Sequence, residues 1–299
     1  MEKFAVKLPD ERELFGASYP IEKPQKHMVI QTGMQEKATR YEKFALFLNE
    51  LGFDVFVLDA FGQGFNAEKE EDLQKWPENA FADNVLALNI KVEELKKDGL
   101  PVYLMGHSMG SFMVQAYLER FPNSVEKAII MGSNGPDKAL YDVAYSLAYV
   151  AVNKSNWDDP NKFISNLAMG GYAKAIKNAK TELDWLSYNE ENVQAYIADP
   201  YCGHPNTGGF WREFLKGMKA LYRKENLAKI SKDEHILIVS GADDPVGKMG
   251  KGPKALEKMY KDLGVADVTL HIYDHMRHEI LNEKDNQKVL DDIKEFLEK

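Results

Sequence analysis

The chain has 299 residues, 44% of them hydrophobic and 28% charged, a balance that builds a folded globular protein and excludes disordered and fibrous classes. Its 47 acidic residues against 38 basic ones leave a formal charge of −9, and no run of Lys or Arg forms a basic stripe. Nucleic acid is therefore excluded as a partner, because binding it requires neutralising phosphates.

A chain of this length buries a substantial core as one large domain or two small ones. The segment Met1-Glu2-Lys3-Phe4-Ala5-Val6-Lys7 is charged and lacks the apolar stretch of a secretory signal, and no window has the length of a membrane span. Cys202 is the only cysteine, so no intramolecular disulfide forms. The expectation is a cytoplasmic protein with no stable membrane insertion. No feature of the sequence bears on oligomeric state.

In chain order, residues 4–19 read as a β-hairpin at a sheet edge. A short β-rich apolar run follows at 27–30, a helical period at 41–51, a second run at 54–58 and a long helical period at 80–97. The run at 102–105 leads through Gly106-His107-Ser108-Met109-Gly110 into a helix over 112–121, and 128–131 is the next strand. From 135 to 209 the strand signals vanish while Tyr, Trp, Met and Asn accumulate in helical and loop patterns. We read this stretch as an inserted helical cap, with a helical part of one core as the plainer alternative. Strands resume at 236–239 and 268–272, each followed by a helix, at 252–263 and 286–297. Strands alternating with helices predict an α/β fold: a mostly parallel central sheet with helices on both faces. The core then spans 1–134 and 210–299, with the cap over 135–209.

Gly106-His107-Ser108-Met109-Gly110 fits G-x-S-x-G, in which a serine sits on a strained turn between strand and helix. At ordinary Gly frequencies the pattern alone is weak, but here a strand pattern ends at it and a helix pattern starts just after it. A serine hydroxyl needs a base and an acid to orient that base. Of seven histidines, His278 is the best candidate, in a loop between the last strand and the final helix, with His275 its rival in the same loop. His271 falls inside a strand, His27 and His235 precede strands as surface residues do, and His107 lies within the turn. Asp243 and Asp244 both qualify as the acid, because they follow a strand's C-terminal end, where open α/β sheets bind ligands. The backbone N–H of Met109, at a helix N-terminus, and of Met34, after Gln31-Thr32-Gly33, are the expected donors to an oxyanion. The histidines lack the H-E-x-x-H or CxxC spacing of zinc sites, so no metal is expected, and attack by an activated serine needs no organic cofactor.

Five motifs in this order, Thr32-Gly33-Met34 with Arg40-Tyr41, Asp59-Ala60-Phe61-Gly62-Gln63-Gly64, Gly106-His107-Ser108-Met109-Gly110, Gly241-Ala242-Asp243-Asp244-Pro245-Val246 and Arg277-His278-Glu279, carry a resemblance. The chain resembles the monoacylglycerol lipase and lysophospholipase branch of the α/β-hydrolases, often called serine aminopeptidase-like. The resemblance implies the α/β-hydrolase fold, a catalytic Ser108, Asp244 as acid and His278 as base, and a small-molecule ester or lipid substrate. A peptidase or a non-catalytic ligand-binding member of the same fold are the alternatives. Asp199-Pro200-Tyr201-Cys202-Gly203 is similar to the segment that closes the cap in bacterial members. Two departures stand out: the family commonly has His-Gly at Thr32-Gly33, and usually an Arg at Phe61, which implies a differently anchored loop.

Overall fold

Runs of β-branched and aromatic residues become strands where both their faces can be buried. In the computed structural model, which describes residues 1–299, these are β1 (Glu2–Lys7), β2 (Glu13–Tyr19), β3 (Lys26–Gln31), β4 (Phe53–Leu58), β5 (Val102–His107), β6 (Ala128–Met131), β7 (His235–Gly241) and β8 (Asp267–Tyr273). They form one sheet in the order β1-β2-β4-β3-β5-β6-β7-β8. The expected edge hairpin is present: β1 and β2 pair antiparallel, β2 joins β4 antiparallel, and every pairing from β4 across to β8 is parallel.

The helices are α1 (Glu42–Glu50), α2 (Ala80–Leu95), α3 (Met109–Arg120), α4 (Lys138–Ala151), α5 (Lys162–Met169), α6 (Tyr172–Ala175), α7 (Glu190–Ala198), α8 (Gly208–Leu221), α9 (Lys224–Leu227), α10 (Lys251–Asp262) and α11 (Gln287–Glu298). Side chains alternate across a strand, so each strand serves two layers. Val102 and Leu104 of β5 pack with Val85 and Leu88 of α2 and Met113 and Tyr117 of α3. Tyr103 and Met105 face the other way, toward Phe44 and Leu48 of α1 and Ile293 and Phe296 of α11.

Two expectations shift. The helix after the G-x-S-x-G turn starts at Met109 rather than at 112, because Gly110 and Ser111 fill its first turn and carry no apolar period. His27, expected at the surface, lies in β3 and is 2% exposed, its Nε2 2.8 Å from Asp98. The cause is its place between β4 and β5.

No strand of the sheet lies between β6 and β7. Within that stretch α8 packs with the core: Phe210 sits 4.5 Å from Trp76 between ring centroids, and Phe214 lies 6.2 Å from Phe81 and 6.3 Å from Phe112. Thr207 caps α8, its Oγ1 accepting the Phe210 N–H at 3.2 Å. The helix therefore begins at Gly208, two residues inside the segment read from sequence as cap. By contrast α4 leaves Leu140, Val143, Leu147 and Val150 exposed, and α5 leaves Phe163 and Leu167 exposed. No helix is long and apolar enough to cross a membrane.

One buried acid predicts a pH effect on stability. Glu119 of α3 is 5% exposed, and burial, partly offset by Lys229, pushes its carboxyl up to about 9. The folded state thus holds a proton that the unfolded chain releases near pH 4.5, so stability falls as pH rises from about 4.5 toward about 9. Glu119→Gln removes that penalty. Thermal unfolding at pH 5, 7 and 9 should show the variant near wild type at pH 5 and more stable by on the order of 1–3 kcal/mol at pH 9. A gap that does not widen with pH counts against this account.

Candidate active site

The parallel strands end on one side of the sheet, and the loops there hold the residues singled out by sequence. Between β5 and α3, Ser108 has φ 52° and ψ −119°, a region that non-glycine residues adopt only under constraint. The constraint is visible. Ser108 N–H donates to Met131 O at 3.0 Å, and Ser111 closes on Ser108 O through its N–H at 2.9 Å and its Oγ at 2.5 Å. A Cβ on Gly106 would lie 2.2 Å from Gly110 O, and one on Gly110 would lie 2.3 Å from Gln31 O. Only glycine fits either place, and the turn lifts Ser108 clear of the sheet.

Asp244 and His278 stand on the loops after β7 and β8. Asp244 is fully buried; its Oδ2 lies 3.0 Å from His278 Nδ1 and its Oδ1 accepts the Val246 N–H at 2.8 Å. The rivals are elsewhere: His275 is exposed on a turn with φ 57°, and Asp243 accepts the Tyr188 hydroxyl at 2.8 Å. Ser108 and His278 border one cavity without a direct hydrogen bond between them. Such bonds often tighten only when substrate is bound.

Met34 and Met109 border the same cavity, and neither N–H has an acceptor within the protein. The loop carrying Met34 is pinned by Glu36, a residue that sequence reading passed over. Gly33 N–H donates to Glu36 Oε1 at 2.5 Å, Tyr41 OH to the same oxygen at 2.7 Å, and Arg40 Nη1 to Oε2 at 2.9 Å. His107 Nδ1 lies 3.2 Å from Oε1. From the other side Gln63 Nε2 donates to Gly33 O at 2.8 Å. Phe61's loop is anchored by Asp59, which accepts Ala38 N–H at 2.6 Å and Phe65 N–H at 3.0 Å.

Burial alone would raise the Glu36 carboxyl, but His107 and Arg40 outweigh it and hold Glu36 below its ordinary range. Burial likewise opposes the His107 cation, yet Glu36 raises His107 above its ordinary value. Glu279 also resists burial: Arg40, at 2.7 and 2.8 Å, holds its carboxyl at about 2. The sequence sign for this network was Arg40-Tyr41 close behind Gly33. Glu36 itself was one acid among 47. The Asp199 to Gly203 segment reaches the same loop, with Gly203 N–H donating to Gln35 O at 3.0 Å.

The cavity holds about 460 Å³, and 21 of its 31 lining residues are hydrophobic, which suits an apolar ligand more than a charged one. Ser108, His278 and Met34 border it together with Tyr141, Leu147, Ile164 and Met169 from α4 and α5. No group of three or more His, Cys, Asp or Glu side chains is arranged to hold a metal.

A strained serine between strand and helix, with an Asp–His pair on the loops of later strands in a mainly parallel eight-stranded sheet, defines an α/β-hydrolase. The chain belongs to the serine aminopeptidase S33 family, whose profile matches residues 22–285. It is similar to the monoacylglycerol lipase of Mycolicibacterium smegmatis, 26% identical over 274 residues that cover 92% of this chain and 88% of that one. The monoglyceride lipase of Saccharomyces cerevisiae is 24% identical, over 83% of this chain and 76% of that one. Among solved structures, a thermostable carboxyl esterase from Bacillus coagulans in complex with glycerol superposes with a TM-score of 0.87 at 26% identity, covering 99% of this chain and 97% of that one.

Proposed function

We propose that the chain is a carboxylic ester hydrolase acting on monoacylglycerol-like or lysophospholipid-like esters through Ser108, His278 and Asp244 and an acyl-enzyme. The observation that carries this reading is the buried Asp244–His278 pair at 3.0 Å, bordering with Ser108 one apolar cavity. Asp244 keeps Nδ1 protonated, which leaves Nε2 to take the hydroxyl proton as Ser108 Oγ attacks the acyl carbon. Charge gathers on the former carbonyl oxygen, where the Met34 and Met109 N–H groups receive it. The bond to the leaving alcohol then breaks and His278 gives that alcohol its proton. Water, deprotonated by the same imidazole, attacks the acyl carbon and releases the carboxylic acid and free Ser108. No step calls for a metal or an organic cofactor.

Relatives named as lipases and esterases support an ester, and so do the carboxylates. An aminopeptidase needs an available carboxylate in the cavity to hold the substrate's ammonium. Asp158, Asp159, Glu182, Asp184, Glu190 and Glu191 do not border it, and the two acids that do, Glu36 and Glu279, are both committed to Arg40. We take the stretch between β6 and α8 as the cap and the rest as the core. The lone Cys202 is buried and unpaired, which supports a cytoplasmic location.

Each buried methylene contributes about 0.8 kcal/mol, so kcat/KM on p-nitrophenyl and glyceryl esters should rise about fourfold per added carbon until the cavity is filled. Short to medium acyl chains are the expected range, with the longer of them the better substrates, and aminoacyl-nitroanilides poor ones. Steady-state kinetics across an acyl series beside an aminoacyl panel tests this. Preference for the amides would transfer the chain to the peptidase reading, and turnover of neither would leave it a ligand-binding member.

A further inference from the structure

We propose that Trp185 is a positioning residue for His278, held against the imidazole by a latch built from Glu283 and Arg277; the inference rests on the triad reading above. The indole and imidazole centroids are 5.1 Å apart with 46° between their planes, and Tyr172 backs the indole at 5.0 Å. Asp244 fixes one atom of the imidazole, Nδ1, and a single hydrogen bond leaves the ring free to tilt about it. Ring contacts remove that freedom. His107 supplies one from the core at 4.7 Å, and Trp185 supplies the other.

Trp185 comes from the stretch between β6 and β7, so it can hold the ring only if that stretch is tied to the loop bearing His278. The tie is dense. The Glu283 carboxylate, 6% exposed, accepts the Ser187 hydroxyl at 2.7 Å, the Tyr188 N–H at 2.9 Å and the Asn189 N–H at 3.2 Å. On its own loop it also accepts the Arg277 N–H at 2.9 Å. The Arg277 guanidinium turns away from Glu283 to donate to Asp184 O at 2.6 Å and Ser187 O at 3.2 Å, and it lies 3.8 Å above the Tyr188 ring. Glu279 N–H, next to the imidazole in sequence, donates to Leu186 O at 2.7 Å. Tyr188 OH reaches Asp243, beside the acid. The bonds to Asp184, Leu186 and Ser187 bracket Trp185 on both sides. Glu283 lies outside the cavity and acts through the loop; Trp185 borders the cavity but bonds to none of the reacting atoms, so a short acyl substrate separates its hold on His278 from contact with a longer acyl chain.

The test reads kcat and KM on p-nitrophenyl acetate, whose acetyl group is too short to use the apolar wall, for wild type, Ser108→Ala, Trp185→Phe, Trp185→Ala, Glu283→Gln and the Trp185→Ala/Glu283→Gln pair. Trp185→Ala should lower kcat at least about tenfold while KM changes by less than about twofold, because lost orientation acts on the transition state. Trp185→Phe should keep most of kcat, since a flat ring remains. Glu283→Gln should lower kcat in the same way and add nothing to Trp185→Ala in the pair, as residues acting through one contact do. The proposal is overturned by an intact kcat in Trp185→Ala, by an effect confined to KM, or by losses that multiply in the pair. If Glu283→Gln does not fold, the contrast of Trp185→Phe with Trp185→Ala decides, and equal kcat in the two rejects the proposal. Full activity in Ser108→Ala would instead remove the triad reading; an inactive Ser108→Ala beside an intact Trp185→Ala removes the latch alone.

Discussion

Ser108→Ala is expected to lower kcat by about 10⁶-fold, because members of such a triad act as a unit and the loss of the nucleophile removes the covalent route altogether. The effect should be chemical rather than structural. The backbone at 108 is held at φ 52° by the Met131 and Ser111 hydrogen bonds, and none of the hydrogen bonds that hold it uses the Ser108 Oγ. Thermal stability of the variant should therefore stay close to wild type. Fluorophosphonate treatment followed by peptide mapping gives an independent check, with one adduct at Ser108 in wild type and none in Ser108→Ala. Two nearby hydroxyls serve as internal controls. Ser111 and Ser133 are buried and bonded to each other at 2.8 Å, so an adduct at either would mean that the turn does not present Ser108 as proposed.

The contrast between Ser108 and Glu36 shows what a sequence can carry. Ser108 was legible because its signature is local, even though the Met131 and Gln31 carbonyls that crowd the turn come from other strands: a strand ends at His107, a helix starts at Met109, and two glycines bracket the bend. The central strands were legible for a similar reason, since burial on both faces leaves short continuous apolar runs. Glu36 gains its role from His107, 71 residues away, and its partner Arg40 binds Glu279 across 239 residues. Trp185 and Glu283 likewise meet the site through contacts between distant loops. No periodicity reports such pairings, and each acid alone resembles a solvated charge. The start of α8 was missed differently. Its first residues, Gly208 and Gly209, carry the composition of a turn, while the Thr207 cap and the packing of Phe210 on Trp76 make them helical.

The adjacent acids pose the case in which sequence position left two answers and packing separates them. Asp244→Asn is expected to lower kcat by about 10⁴-fold with KM little changed, whereas Asp243→Asn should cost less than about tenfold. Asp244 is fully buried and its Oδ2 holds His278 Nδ1, so Asn there either donates its amide to Nδ1 or accepts without a charge. In the first arrangement Nδ1 must be the unprotonated nitrogen, which leaves the proton on Nε2, where the base is needed. In the second the imidazolium formed during attack loses the carboxylate that stabilises it. Asp243 meets neither requirement, since its partner is the exposed Tyr188 hydroxyl at 2.8 Å and Asn can still accept that bond. What Asp243→Asn does lose is one charge beside the loop, an effect screened by solvent and small at such a site. Steady-state kinetics of the two variants on one p-nitrophenyl ester at a single pH decides the matter. Equal losses, or a larger loss at Asp243, would reject Asp244 as the residue that orients His278.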